Sequence, residues 1–431
     1  MKKNVILGAG IAGLSANYEL EQAGFPSKCY EMDQKYGGLC ASFSIGEFVF
    51  DKFVHLSFTN DDDVKSIFAS GTEYYTHYPE SMNYADGMWI RHPVQNNLYK
   101  LPTQQKIEII KSFIDKPSAN EVKNYEEWLK AQYGEYFAEK YPMRYTRKYW
   151  GVDAHEMGTE WTGGRIFIPD LDEILYSAFE QETKNVFYAK EMRYPVKGGY
   201  QAFLSGFVNE DQIEYDKKVI QIDEKQSKVY FEDGDCVEYD NLISTLPLPD
   251  LVSYLSYVDK EVVEASKKLM YTSGYIVSIG LNKVKEFPSL WFYIYDEDIL
   301  PARIHSPSMK SVNNVPKGKS SLQAEIYFSN EKPMHKSQEE ILKDTIAKLV
   351  SIGLFSEEDI EVTDIRLIKY ANVICNQEID ENRSAVKDYM DSNGIVLAGR
   401  FGEWKYFWSD QSFLSGKSAA DILIDKMSKI V

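Results

Sequence analysis

Within its first thirteen residues the chain places a short apolar run, Val5-Ile6-Leu7, directly before Gly8-x-Gly10-x-x-Gly13, then continues in a helical pattern through Leu14, Tyr18, Leu20 and Ala23. A strand that stops at a glycine-rich turn and restarts as a helix is the phosphate-binding corner of a doubly wound α/β sheet. The first glycine permits the tight turn and the second lets backbone approach a pyrophosphate. The third lets helix and strand pack closely, and the helix N-terminus offers its N–H groups to the phosphates. A second strand, Lys28 to Tyr30, ends at Glu31, eighteen residues beyond Gly13, where a carboxylate can bind ribose hydroxyls. Gly8, Gly10, Ala12, Gly13 and Glu31 are therefore expected to hold a dinucleotide.

At 431 residues the chain is too long for one core, so two or three domains are expected. From Gln104 to Tyr149 apolar and aromatic residues recur at spacings of three and four, the pattern of a helical insertion. Gly198-Gly199 precedes a further helix, and Lys218 to Ile222 and Lys228 to Phe231 alternate as strands. Tyr271 to Leu281, Leu290 to Tyr295, Ser321 to Phe328 and Glu361 to Lys369 read as strands of a mostly antiparallel sheet, with a helix at Gln338 to Leu349. Gly394 to Ala398 reads as a late buried strand ending at Gly399-Arg400, and Ser412 to Ile424 as a helix.

The expected architecture is α/β: a Rossmann-like dinucleotide domain made of 1–90, 190–255 and 370–431, a helical domain at 91–189, and an antiparallel-sheet substrate domain at 256–369. A formal charge of -18 disfavours nucleic acid as a partner. No run approaches the roughly 20 apolar residues of a membrane span. Cys29, Cys40, Cys236 and Cys375 form no CxxC pair, and the histidines form no metal-ligand spacing. With too few apolar residues at the start for a signal peptide, a cytoplasmic protein with reduced thiols is expected.

Gly37, Gly38 and Leu39 follow Glu31 where a nicotinamide enzyme would continue into its next βα unit. This arrangement resembles the flavin amine oxidase superfamily, which implies FAD. Longer stretches are similar to the UDP-galactopyranose mutase family, especially its eukaryotic-type branch: HPVQNNLYKLP (His92 to Pro102), Tyr125 to Ile166, and GRFGEWKYFWSDQSF (Gly399 to Phe413). The resemblance implies an isomerase without net redox change. Reduced FAD, supplied with electrons by a reductant such as NAD(P)H, attacks the anomeric carbon of a nucleotide sugar through N5. A pyranose such as UDP-galactopyranose becomes a furanose, galactofuranose, for cell-surface polysaccharide synthesis.

The same resemblance assigns Arg165 and Arg303 to the substrate diphosphate, with Arg303 twelve residues after Trp291. It adds Gln95, Trp291, Tyr293 and Tyr406 to the substrate set and His55 beside the isoalloxazine. Gly38, Leu39, Val219, Arg400, Asp410, Gln411 and Ser412 join the FAD set. Guanidinium suits a diphosphate because it stays charged and offers a planar fork. Several positions depart from the family pattern: Phe53 and Val54 replace two glycines, His92 and Val94 stand where aromatics are common, and Asn372 replaces a tyrosine. A homo-oligomer is compatible with this reading. The competing readings are a flavin oxidase or desaturase of the amine oxidase or protoporphyrinogen oxidase type, and a nucleotide-sugar binder that keeps FAD as a structural ligand.

Overall fold

The computed structural model describes residues 3–429 apart from Pro79, Asn185, Phe187 and Tyr188. The N-terminal strand Asn4–Leu7 lies at the centre of a parallel sheet in the order Ile395–Leu397, Asn241–Ser244, Asn4–Leu7, Ser27–Tyr30, Ile213–Glu214. Strands buried on both faces read as continuous apolar runs, which is why VIL and NLIS stand out. Their two asparagines share one buried hydrogen bond, Asn241 Nδ2 to Asn4 Oδ1 at 2.8 Å, so neither amide is stranded. Helix Ile11–Gln22 packs against the 20-residue helix Ser409–Ser428. The crossing is so close that a Cβ on Gly416 would stand 2.0 Å from Ala12 O.

The second sheet has seven strands in the order Ile360–Val373, Tyr271–Leu281, Ser320–Phe328, Arg303–His305, Trp291–Ile294, Ser81–Ala85, Met88–Arg91. Every pairing is antiparallel except that of Trp291–Ile294 with Ser81–Ala85. Side chains alternate faces along a strand. Val277, Ile279 and Phe292 meet Ile341 and Leu349 of helix Gln338–Ser351, whereas Ile276 and Tyr327 on the other face meet the helical insertion.

That insertion comprises Thr103–Ile114, Tyr125–Tyr133, Glu135–Lys140, Pro142–Tyr149 and Leu171–Phe179. Asn124 and Asp170 cap two of these helices by accepting from the backbone N–H groups of Glu127 and Glu173. Buried Lys148 ties the insertion to the sheet by donating to Ile294 O, Asp296 O and Pro301 O, each at 2.8 Å. Burial pushes its amine down to about 7.

The expected fold class holds, with adjustments at its seams. Residues 81–90 belong to the antiparallel sheet rather than to the dinucleotide domain, and Arg91 belongs to it rather than to the helical domain, because Ser81–Ala85 pairs with Trp291–Ile294 and with Met88–Arg91. Helix Lys260–Lys267 packs Val262 and Ala265 into the core beside Leu242 and Ile395, so on that side the antiparallel sheet begins at Tyr271. The strand placed at Glu361 to Lys369 runs on to Val373, across the boundary expected at 370. The segment after Gly199 is a 3₁₀ turn run, Tyr200–Gly206, rather than an α-helix. No helix among the described residues is long and apolar enough to cross a membrane.

Candidate functional site

A cavity of about 650 Å³ runs between the two sheets. At one end Gly8, Gly10, Ile11 and Ala12 line it. Gly8 has φ +96, and a Cβ on Gly13 would meet Gly8 O at 2.0 Å, so the turn and the helix-strand contact both require glycine. Helix Ile11–Gln22 has no side-chain cap, leaving its first N–H groups to the cavity. Across the turn lies Gly38, whose Cβ would stand 3.1 Å from Gly10 Cα. Glu31 accepts from Ala9 N at 2.7 Å and Asp33 N at 2.9 Å. These two N–H groups oppose the burial that pushes its carboxyl up, and its remaining lone pairs suit ribose hydroxyls. Val219 lies at the same end, beside Lys217 and Lys218, which pair with Asp233, Asp235 and Glu232.

Farther in, the lining comprises Leu39, Cys40, His55, Gly399, Arg400 and Ser412. The His55 ring lies 4.9 Å from that of Tyr200, and burial pushes its imidazole down to about 4, so it is neutral near pH 7. Phe53, two residues earlier, holds φ +70 and stacks on Tyr327 at 5.6 Å. A bulky residue in the left-handed region costs of order 1–3 kcal/mol. Phe53 thus holds a conformation that a glycine adopts without strain.

The opposite wall follows from strand register. Tyr293 pairs with Arg303 and Arg303 with Glu325, which puts the three side chains in one cross-strand row, with Trp291 and Tyr327 two residues along on the same face. Arg303 Nε donates to Glu325 Oε2 at 2.6 Å and Nη2 to Tyr327 OH at 3.1 Å; Tyr327 OH donates to Glu325 at 2.7 Å. The other carboxylate oxygen accepts from Val54 N at 2.5 Å. Arg303 and the loop before His55 thereby share one buried anion. Trp291 Nε1 donates to Tyr293 OH at 3.0 Å, and the Tyr149 and Tyr406 hydroxyls meet at 3.1 Å.

Fourteen of the residues expected from sequence line this one cavity: Gly8, Gly10, Ala12, Glu31, Gly38, Leu39, His55, Val219, Trp291, Tyr293, Arg303, Arg400, Tyr406 and Ser412. Gly13 stands behind the turn it permits. Gln411 caps the C-terminal helix by accepting from Trp408 N at 2.9 Å, and Asp410 lies in the first turn of that helix. Arg165 does not line the cavity: its guanidinium lies 4.7 Å from the Tyr406 ring and 4.0 Å from that of Trp408, and it donates to Tyr406 O at 2.8 Å. Gln95 is also outside, its amide donating to Phe167 O at 3.0 Å.

Sequence reasoning missed Glu325, Tyr327, Tyr149 and the ion pair of Lys310 with Asp51. The last two are fully buried at 2.6 Å, and Asp51 also accepts from Ser42, Tyr194 and Tyr200 N. This cluster anchors the end of the hairpin Ser42–Asp51, from which the loop to His55 departs. Period-two alternation in Ser320–Phe328 places Glu325 and Tyr327 on one face, but nothing local says that this face meets the cavity. Among the described residues there is no cluster able to hold a metal.

The cavity fits a flavin dinucleotide: its nucleotide end is backbone lined, and Gly10 faces only Gly38 across it. The profile of the Flavin containing amine oxidoreductase family matches residues 11–424. A solved structure of reduced UDP-galactopyranose mutase superposes with a TM-score of 0.93 at 25% identity, covering 99% of this chain and 96% of that one. A structure described as a protoporphyrinogen oxidase of Exiguobacterium sp. 255-15 gives a TM-score of 0.76 at 15% identity over 99% of both chains, a likeness of fold alone. Hydroxysqualene dehydroxylase of Sinorhizobium fredii (strain NBRC 101917 / NGR234) is 38% identical over 89 residues, which are 20% of this chain and 19% of that protein.

Proposed function

The chain belongs to the flavin containing amine oxidoreductases, and from that premise we propose that it is an FAD-dependent nucleotide-sugar mutase interconverting pyranose and furanose forms. The observation that carries this reading is the cross-strand row Tyr293–Arg303–Glu325, in which Tyr293 and Arg303 line the same cavity as His55 and the dinucleotide turn and Glu325 is buried behind them. When bound and reduced, the flavin would supply the nucleophilic N5 at the anomeric carbon.

Everything else falls to the chain's own residues. Gly8, Gly10 and the first N–H groups of the helix hold the cofactor pyrophosphate, and Glu31 its ribose. Arg303, with Trp291, Tyr293 and Tyr406, holds the substrate diphosphate as it leaves, donating hydrogen bonds where negative charge grows. Glu325 fixes the fork of Arg303, and Tyr149, Tyr327 and Tyr406 exclude water around it. Neutral His55 can donate or accept one hydrogen bond without adding charge.

The test is to load the protein with FAD, reduce it with dithionite under anaerobic conditions, add UDP-galactopyranose and separate the nucleotide sugars. A UDP-furanose formed only by the reduced enzyme is expected; no furanose from any UDP-sugar overturns the reading. The pairing of Arg303 with Glu325 favours a second reading, because a neutralised cation also suits a less anionic substrate. That alternative, a flavin oxidase or desaturase, is distinguished by turnover of the oxidised enzyme with release of hydrogen peroxide.

A further inference from the structure

Backbone strain marks one place on the cavity wall. Among the described residues other than glycine, Asp86, Asp216, Ser227, Trp404 and Phe53 hold a positive φ, and of these Phe53 lines the cavity. A bulky side chain rarely adopts that conformation, which persists only where the surroundings over-determine it. What holds Phe53 is a seat in the antiparallel sheet. Gly274 stands between Ile368 and Tyr327 in one cross-strand row, and both of those neighbours line the cavity. The missing side chain leaves a notch that the Phe53 ring fills: a Cβ on Gly274 would stand 2.9 Å from Cε1 and from Cζ of that ring. Glycine weakens the interior of a strand and marks close approach by another group, so the strained residue and the bare one account for each other.

Two routes lead from the seated ring to Arg303. The ring stacks on Tyr327 with 14° between the planes, and Tyr327 OH accepts from Arg303 Nη2 at 3.1 Å. The backbone runs on into Val54, whose N–H donates to Glu325 Oε1, while Oε2 of the same carboxylate accepts from Arg303 Nε at 2.6 Å. Both routes end at one guanidinium. A glycine at position 53 would suit the backbone but leave the notch empty and the Tyr327 ring without its stacking partner. The strain is therefore retained for what the ring holds, and a planar fork depends on its angle when it meets a phosphate.

We propose that Phe53 is a positioning residue for the substrate diphosphate: seated over Gly274, its ring holds Tyr327, and Tyr327 with Glu325 sets the angle of the Arg303 fork. Phe53 acts through these partners and makes no hydrogen bond to the ligand itself. Gly274 belongs to the same device although it does not line the cavity. This inference rests on the assignment of the diphosphate to Arg303 above.

The test sets the UDP affinity of FAD-loaded protein, by titration calorimetry, beside urea unfolding of the same variants. Phe53→Leu removes the stacked ring and keeps the backbone strain, whereas Phe53→Gly removes both. If packing alone were at stake, affinity would follow stability. The expected result separates them: both variants bind UDP about tenfold more weakly, yet the glycine variant unfolds at higher urea than the leucine variant. Gly274→Ala, which displaces the ring without touching the cavity, should weaken UDP binding by a similar factor in the parent. Made in Phe53→Gly, where no ring remains to displace, it should change affinity by less than about twofold. UDP affinity within about twofold of the parent in both Phe53 variants overturns the positioning role, as does a Gly274→Ala loss that is the same in both backgrounds. A parent protein that binds no UDP overturns the assignment of the diphosphate to Arg303 itself. Should Phe53→Leu fail to fold, Phe53→Gly and Gly274→Ala still decide the matter.

Discussion

The two ends of the cavity are built from different materials. At the glycine-turn end the lining is mostly main chain, held by glycines whose missing Cβ atoms make close approach possible, with Glu31 adding one carboxylate. At the opposite wall the lining is made of side chains, delivered by strands at Trp291–Ile294, Arg303–His305 and Ser320–Phe328 and by Tyr149 and Tyr406 from two other segments. A backbone site is neutral and tolerates changes that spare its geometry. A side-chain wall must neutralise what it buries, and here it does so through Glu325, which also holds Val54 N of the opposite loop. The first end fails by steric clash and the second by stranded charge.

The largest effect expected is at the backbone end. Gly13→Ala would put a methyl carbon 2.0 Å from Gly8 O, which only separation of helix and strand can relieve. Loss of FAD uptake, or of soluble folded protein, is the expected outcome. Gly163→Ala, where a Cβ would meet nothing within 4 Å, should leave flavin content unchanged. Flavin absorbance per protein checks both, and normal flavin content in Gly13→Ala would break the claim that this end is fixed by backbone contact.

Next comes the wall. Arg303→Ala removes the charge that answers Glu325, and stranding one member of a buried pair costs about 3–5 kcal/mol of stability. It should also weaken UDP binding by about 1.5–3 kcal/mol. Adding Glu325→Gln in the same chain should return most of the stability and none of the affinity. Urea unfolding and titration calorimetry separate the two effects. If the second change restores neither, Glu325 is not the group that Arg303 compensates.

This contrast also explains what the sequence disclosed. Gly8, Gly10, Gly13 and Glu31 are legible because a backbone site is contiguous: the turn, the helix start and the carboxylate fall within 24 residues of chain. The Tyr293–Arg303–Glu325 row is a product of register between three strands, and register is invisible until the strands pair. Only the spacing of Trp291 and Arg303, read through family resemblance, reached part of it. Glu325 could not be told from a solvated strand residue, nor Asp51 and Lys310 from surface charges, because their partners are remote in sequence. Arg165 and Gln95 were brought to the right region but not to the cavity surface. In both cases a local contact, to Tyr406 and Trp408 or to Phe167 O, claims the side chain.

A titration sharpens the comparison further. His55 lines the cavity and His92 stands beside Tyr293 of the opposite wall, and burial pushes their imidazoles down to about 4 and about 3. The unfolded chain protonates near 6.5, so between there and about 4 it binds protons that the folded state does not. The neutral histidines' contribution is therefore fully present above pH 6.5 and is lost as pH falls. Each should cost up to about 1.4 kcal/mol per pH unit in that window. Urea midpoints of His55→Asn and His92→Asn from pH 7 to 4.5 should each show a shallower fall than the parent. An unchanged slope in either variant means that its histidine is solvated.

The smallest effect is expected at Arg165. Its guanidinium lies over Tyr406 and Trp408, both of which line the cavity, so it acts on a ligand by holding those rings in place. A cation–π contact of this kind is worth about 0.5–2 kcal/mol, and Arg165→Ala should weaken UDP binding by no more than that. Arg165→Lys should recover little, since an ammonium cannot reproduce the planar stack on two rings. The side chain of Tyr406 decides between a positioning role and direct contact: if Arg165 works through it, adding Arg165→Ala to Tyr406→Ala should cost almost nothing more. A loss as large as that of Arg303→Ala, additive with Tyr406→Ala, would instead bring Arg165 to the diphosphate itself and make the wall a two-arginine clamp.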